Sequence, residues 1–257
     1  MIDYISICAI IKDEHPDDIL EWVNYHRRIG IDRFYIYDNE SKISIAKILE
    51  GYKDVVVFNI CGIAMQYMAY KHCIEYVNKN NYTYWLAIID LDEFICPMKN
   101  PYLDSVLMQY ENYAGLCANW AMFGSNGHKE HQMSSLQAYT KRMNPDLDDT
   151  KILCSHVKTI LKPSLTIGIN NPHSFQYKEG HFAVGEDFAR VDSFQRLPVT
   201  YDKIRINHYF TKSREDFEKK VARPRADIGE IRKDHEVHWN TFEKYCNVED
   251  KRILELS

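Results

Sequence analysis

A short apolar run that ends in clustered acids constrains this chain more than any other stretch. Trp85-Leu86-Ala87-Ile88-Ile89 runs into Asp90-Leu91-Asp92-Glu93-Phe94, which puts three carboxylates into four positions. Consecutive apolar residues of this kind fit a strand covered on both faces, as in parallel sheets flanked by helices. In open α/β sheets ligands sit outside the carboxyl ends of strands, so Asp90 and Asp92 would emerge together at a crevice. Like charges this close repel unless something positive stands between them. A hard divalent cation that also grips a phosphorylated substrate fills that role, because such ions use one or two carboxylates plus phosphate oxygens. The competing reading is a solvated acidic turn behind a core strand.

The rest of the chain is compatible with a large core. Its 257 residues, 45% of them hydrophobic, suffice for one large α/β domain. The net charge of −5 and a pI near 6.1 give no broad basic field, so nucleic acid is not an expected partner. Seven cysteines are scattered and never spaced as Cys-x-x-Cys, which argues against zinc ribbons and disulfide frameworks and for a reducing compartment. The segment Met1 to Ile11 carries Asp3 and lacks a basic leader, and no apolar run approaches the roughly 18 residues of a membrane span. A cytoplasmic protein is expected, with peripheral contact at the inner face of the membrane left open.

In chain order, Ile5 to Ile11 reads as a first buried strand. Pro16, at a favoured first helical position, with Asp17 and Asp18 in the first turn, starts a helix to about Ile29, and Gly30 closes it. Arg33 to Tyr37 is a second strand ending in Asp38-Asn39-Glu40-Ser41. Nucleotide-binding α/β folds use an acid at such a strand end to accept hydrogen bonds from a ribose or base, whereas an acid beside Asn39 is also an ordinary turn residue. The first turn, Lys12-Asp13-Glu14-His15, contains no glycine, which excludes a P-loop and a dinucleotide fingerprint. Asp54 to Ile60 is a third strand, and Met65, Met68, Ala69, His72, Cys73, Tyr76 and Val77 trace an amphipathic helix on which His72 is expected to be a core residue. The alternation of strand and helix up to residue 97 predicts a mainly parallel central sheet flanked by helices.

Beyond Pro97 the alternation weakens. Leu116 to Phe123, Lys158 to Pro163, Leu165 to Ile169 and Ile204 to Phe210 are strand candidates, and Gly124 to His128 is a flexible loop. Residues 129 to 150 are polar, with Asn144 to Asp149 reading as a mobile excursion. Ser213 with Asp216 makes a capping box for a helix through Val221, after which Arg223-Pro224-Arg225 offers a basic cluster to an anion.

Taken in order, Lys12-Asp13-Glu14, Glu21-Trp22, Tyr25-His26, Tyr35 to Ser41, Trp85 to Phe94, Trp120 to His128, Pro172 to Phe175 and Ile206 to Ser213 resemble glycosyltransferases of family 92 and the related family 2-like group, the domain of formerly unknown function 23. The resemblance covers roughly residues 5 to 230. It implies a GT-A fold across a single domain, 1–257, with a nucleotide-binding half to about residue 97 and an acceptor-binding half from about 98. It also implies a UDP-sugar donor, Mn²⁺ or Mg²⁺, and inverting transfer of a hexose, galactose foremost, to a glycan or lipid-linked acceptor. By the same resemblance, Asp38 would bind the uridine with Lys12 and Glu14, Asp92 would ligate the metal directly, Asp90 would bridge metal and ribose, and His208 would complete the metal site. Arg225 would contact the donor, although Pro224 stands between the two arginines where such families show a glycine.

Breaking the bond between sugar and diphosphate builds negative charge on the leaving oxygens, which a divalent ion stabilises. At ~4 Å and an effective dielectric of about 20, a unit charge pair is worth on the order of 4 kcal/mol. Inversion also requires a general base for the acceptor hydroxyl. Asp227, Glu130 and Asp187 are the candidates, with Asp227 favoured for its place beside Arg225. Two other readings compete: a haloacid-dehalogenase-type phosphatase with Asp90 as nucleophile and Asp92 as acid/base, and a non-catalytic glycan-binding domain with Tyr and Trp platforms.

Overall fold

The computed structural model describes residues 2–256, so Met1 and Ser257 lie outside the described residues. Its frame is a ten-stranded mixed sheet. Strands β1 (Asp3–Ile11), β2 (Arg33–Asn39), β3 (Val55–Ile60) and β4 (Thr83–Ile88) form its parallel half. β1 lies between β2 and β4, and β3 takes the outer edge. Helix α1 (Pro16–Arg28) links β1 to β2, and the short α2 (Ile45–Ile48) precedes β3. Helix α3 (Gln66–Lys79) links β3 to β4.

Burial on both faces explains the continuous apolar runs. Along β1, Ile5, Ile7, Ala9 and Ile11 pack with Ile19, Trp22 and Val23 of α1. Cys8 packs on the opposite side with Ala69, Tyr70 and Cys73 of α3. This is the period-2 alternation of a pleated strand, with an apolar layer on each side. Among the described residues no helix is long and apolar enough to cross a membrane.

The second half of the chain completes the same sheet. Strand Val157–Leu161 inserts antiparallel between β4 and β6 (Gly115–Met122). Strand Ile204–His208 runs parallel to β6 and antiparallel to β5 (Glu93–Pro97), pairing His208 with Glu93 and with Met122. The acid cluster therefore opens into a strand at Glu93, which rules out the competing reading of a solvated acidic turn.

Three expectations need correction. Asn144 to Asp149 is not a loose excursion, since Asp148 and Asp149 begin helix Asp148–Cys154 and the Tyr245 hydroxyl donates to Asp149 Oδ2 at 2.6 Å. The buried stripe of α3 is Gln66, Ala69, Tyr70, Cys73, Ile74 and Val77, while Met68 is exposed. The helical period was right and its phase was not. His72, on the exposed side, bonds the Tyr37 hydroxyl through Nδ1 at 2.7 Å.

Near the chain's end, Asp250 receives both terminal nitrogens of buried Arg205 at 2.7 Å and Nε of Arg142 at 2.7 Å. Burial alone would raise this carboxyl, but the two guanidinium groups outweigh it and hold it well below the usual carboxylate range. A depressed folded-state value contributes stability above the unfolded value of about 3.9, and that contribution is lost as pH falls below it. Asp250→Asn is thus expected to cost about 2 kcal/mol at pH 7. Denaturant titration should find the gap to the parent closing as pH drops under about 4; a gap independent of pH would contradict the charge assignment.

Candidate functional site

A crevice of about 920 Å³ opens where the parallel strands end. It has the size range of small-molecule sites and lies outside the carboxyl edge of the sheet. Lys12 and Glu14 reach it from the end of β1, Asn39 from β2, Gln66 from the start of α3, and Asp90 and Asp92 from the end of β4. Met122 and His208 arrive from the second half. Both halves of the chain therefore build one site.

Asp90 is held at both carboxylate oxygens. Its Oδ1 accepts hydrogen bonds from Gln66 Nε2 at 2.9 Å and the Tyr70 hydroxyl at 3.0 Å, and its Oδ2 pairs with Lys158 Nζ at 2.9 Å. Lys158 is buried and lies 3.4 Å from Glu93 Oε2 as well. Burial alone would lower the Lys158 ammonium, but Asp90 and Glu93 outweigh it and hold it above its usual value. With both oxygens committed, Asp90 is poorly disposed to act as the aspartyl nucleophile that a phosphatase needs.

Asp92 points the other way, to His208 and Lys220. His208 Nε2 lies 3.3 Å from Asp92 Oδ2, and the Lys220 ammonium, from helix Arg214–Ala222, pairs with the same oxygen. Burial would raise the Asp92 carboxyl, yet the Lys220 charge and His208 hold it well below the usual range. Burial pushes the His208 imidazole down, against the pull of Asp92. An ionised carboxylate beside a neutral imidazole is the protonation pattern a metal requires.

The other nitrogen of His208 has a neighbour of its own. His208 Nδ1 and Glu93 Oε1 face each other at 3.9 Å, and neither atom has a hydrogen-bond partner. Burial, with Asp90 and Asp92 nearby, pushes the Glu93 carboxyl up to about 8 despite Lys158. A carboxyl behind a histidine is the usual second layer of a metal site, because it orients the ring and frees the opposite nitrogen. The donor set thus fits a divalent cation at Asp92 and His208, with Asp90 reaching it only by releasing Lys158. No ligand atoms of Asp90, Asp92 and His208 form a group within 4.8 Å of one another; among the described residues His15, Asp17 and His131 do.

Several motif residues serve as scaffold. Trp22 Nε1 donates to Glu93 O at 2.8 Å, the Tyr25 hydroxyl donates to Ile95 O at 2.7 Å, and His26 Nε2 accepts the Ile95 N–H at 3.2 Å. Helix α1 in this way hangs β5, and with it Glu93, at a fixed depth. The Ser213 cap is formed as expected, its Oγ accepting the Asp216 N–H at 3.1 Å, and the helix it starts delivers Lys220.

The remaining candidates separate. Arg223 donates to the Lys12 carbonyl and the Glu14 carboxylate, tying the basic cluster to the first turn. Asp38 spends its oxygens on the backbone N–H groups of Ser41 at 2.9 Å and Ile45 at 3.2 Å and lines a separate shallow depression. Its neighbour Asn39, with a buried, unpartnered Oδ1, is the residue in the crevice. Strand alternation sends adjacent side chains to opposite faces, and that signal was available at this position. Glu130 is exposed on the loop after β6 and does not line the crevice. Asp187 pairs with Arg196 at 2.7 Å, also away from it. Of the three base candidates only Asp227 lines the crevice, gripped at both oxygens by Arg225 at 3.0 and 2.6 Å.

Sequence reasoning missed Lys158, Lys220, Gln66, Tyr70 and Arg232. Arg232 lines the crevice and makes no ion pair among the described residues. Burial lowers it first of all, with Asp92 opposing and Arg225 and Arg223 adding to the effect. On the opposite wall Trp120 stacks on His156 with centroids 5.0 Å apart and meets His173 and His208 edge-on.

The profile of glycosyltransferase family 92 matches residues 4–241. The chain is similar to a glycosyltransferase family 92 protein of Ricinus communis, 29% identical over 231 residues that cover 85% of this chain and 37% of the relative. One from Oryza sativa subsp. japonica is 28% identical over 74% of this chain and 33% of its own. One from Arabidopsis thaliana is 25% identical over 74% of this chain and 35% of its own. The chain spans about a third of the length of these curated relatives. Among solved structures, S. aureus TarS 1-349 aligns with TM-score 0.38 and 14% identity over 63% of this chain and 47% of that one. A 4-diphosphocytidyl-2C-methyl-D-erythritol synthase aligns with TM-score 0.40 and 11% identity over 65% and 78%.

Proposed function

Because the chain belongs to glycosyltransferase family 92, we propose that its crevice transfers a hexose, galactose foremost, from a UDP-sugar to a glycan or lipid-linked acceptor, with inversion and with Mn²⁺ or Mg²⁺. The observation that carries this reading is the pairing of Asp92 with His208 at 3.3 Å at the carboxyl edge of the sheet, backed by Glu93. Asp92 and His208 would hold the cation, and a neutral imidazole in the set favours Mn²⁺ over the more strictly oxygen-seeking Mg²⁺. When bound, the cation neutralises charge that grows on the departing diphosphate.

The chain's own groups share that load. Lys220 and the unpaired Arg232 line the route a diphosphate would take and supply charge-assisted hydrogen bonds. Asn39 and Asp90 face the nucleoside end, where Asp90, kept ionised by Lys158, can accept from a ribose hydroxyl. Trp120 and His156 offer a flat surface on the other wall for the sugar ring of an acceptor. Asp227 is the proposed base. Its bidentate pair with Arg225 weakens it as a base, and a diphosphate that draws Arg225 away would restore its basicity.

Calorimetry on the intact chain with UDP, with and without Mn²⁺, tests this directly. UDP binding that Mn²⁺ tightens is expected, followed by turnover of UDP-galactose above other UDP-hexoses. A chain that ignores UDP and binds glycan without metal would be a lectin, and the proposal would fall.

A further inference from the structure

We propose a second metal site, for Zn²⁺ or a similar borderline transition ion, at the mouth of the crevice, formed by His15, Asp17 and His131. It uses none of the residues assigned to transfer and stands whether or not that reading holds. One ligand atom from each of the three side chains lies within 4.8 Å of the other two. The two imidazole rings approach to 4.0 Å between centroids.

The atoms available are the right ones. His131 Nδ1 contacts Asp216 Oδ1 at 2.9 Å, and since a carboxylate only accepts, Nδ1 carries the proton. The lone pair then sits on Nε2, which is buried and without any hydrogen-bond partner. A buried acceptor left unsatisfied costs free energy and calls for an explanation such as an ion. The Asp216–His131 contact is itself the carboxylate–histidine arrangement typical of metal ligands. His15 Nδ1 and Asp17 Oδ2 are 3.4 Å apart, matching the edge of about 3.4 Å of a tetrahedron with bonds of 2.0–2.1 Å. What the ion would displace is a hydrogen bond of 3.3 Å from the Asp17 N–H to His15 Nδ1, long for its kind. Two imidazoles and one carboxylate select Zn²⁺ over Mg²⁺ or Ca²⁺ and leave a fourth position for water or substrate.

Its place in the fold gives the site a purpose. His15 caps α1 immediately after the first turn, whose Glu14 pairs with Arg223. His131 lies on the loop after β6, which is bound to the start of helix Arg214–Ala222 through His128 O, Lys129 O and the Glu215 carboxylate. An ion here would join the two halves of the chain across the crevice mouth and steady the helix that carries Lys220.

Co²⁺ and Zn²⁺ titrations of the intact chain test this, carried out in an Asp92→Asn/His208→Gln background so that the first site is silent. We expect the visible absorption of four-coordinate Co²⁺ and a rise in Tm with micromolar Zn²⁺. His131→Ala should abolish both, and His15→Ala, at a half-exposed position, should do the same if the first variant folds poorly. Asp216→Asn should weaken Zn²⁺ about 10- to 100-fold through its hold on the ring. Binding unchanged in His131→Ala or His15→Ala, or no binding by the background protein at micromolar Zn²⁺, would overturn the proposal.

Discussion

Asp92→Ala is expected to lower the proposed hexose transfer by about 10²-fold or more while leaving the fold in place. The carboxylate is the charged member of the pair with His208, and on the proposed mechanism its removal takes away several kcal/mol of stabilisation of the leaving diphosphate. The substitution also strips Lys220 of its carboxylate, a stability cost tempered because that ammonium is about a fifth exposed. The backbone carbonyl of Asp92, which accepts the Tyr209 N–H at 2.8 Å, is untouched by the substitution. Lys220 keeps its bond to Phe210 O at 3.1 Å and its seat over the Phe210 ring. Circular dichroism should therefore stay close to the parent and Tm should fall by a few degrees, while turnover per folded molecule collapses, and Asp92→Asn should behave alike because the charge is what is lost. If instead the Asp92–Lys220 pair were merely structural, the variant would lose stability and keep its turnover per folded molecule. Transfer within about threefold of the parent, a difference of roughly 0.6 kcal/mol, would reject the assignment.

What sequence reading captured here follows the physics of local pattern. The parallel half was legible because strands buried on both faces write continuous apolar runs, and because Pro16, Asp17 and Asp18 mark a helix start in three adjacent positions. The acids at the tip of β4 were legible for the same reason. Lys158 was not, since it sits inside a run that reads as an ordinary strand, and only the antiparallel insertion of Val157–Leu161 beside β4 brings its ammonium to Asp90. Lys220 is 128 residues from its partner in sequence, and no spacing rule spans such a gap. Gln66 and Tyr70 were hidden by an error of phase. A stripe drawn through Met65 and Met68 left them off the buried face, although Gln66 and Tyr70 are themselves four apart and meet the same carboxylate oxygen. The C-terminal helix His235–Tyr245 buries only Phe242, which explains why it left no periodic trace.

These misses share a cause, and it bears on function. The acids of the site are announced by composition because a strand tip with three carboxylates is unusual. Their counter-charges are announced by nothing, because a lysine becomes special only through what the tertiary structure sets beside it. The family profile spans residues 4–241, and several residues of the motifs that pointed to the family, such as Trp22 and Tyr25, are framework for β5. The electrostatic balance that decides which acid is ionised, and toward what, appears only in three dimensions.

Lys158→Met should be the most destabilising single change at the site, by about 3 to 5 kcal/mol. The side chain is 1% exposed and lies between Asp90 at 2.9 Å and Glu93 at 3.4 Å. Methionine fills nearly the same volume, so cavity formation contributes little and the loss reports on charge. Without the ammonium Asp90 and Glu93 have no cation beside them, since Lys220 is engaged by Asp92. Glu93, already pushed up to about 8, can stay protonated at neutral pH, which leaves Asp90 as the uncompensated charge and argues for the lower end of the range. Asp90 retains Gln66 and Tyr70 as donors, and neither carries charge. For a chain of this length each kcal/mol is worth about 2–4 °C, so Tm should fall by roughly 6 °C or more. Adding Asp90→Asn to Lys158→Met should return part of that stability, because the second substitution removes the charge that the first one stranded. A double variant no more stable than Lys158→Met, or a single variant within about 0.5 kcal/mol of the parent, would mean that the lysine is screened by water and that Asp90 owes its ionisation to something else.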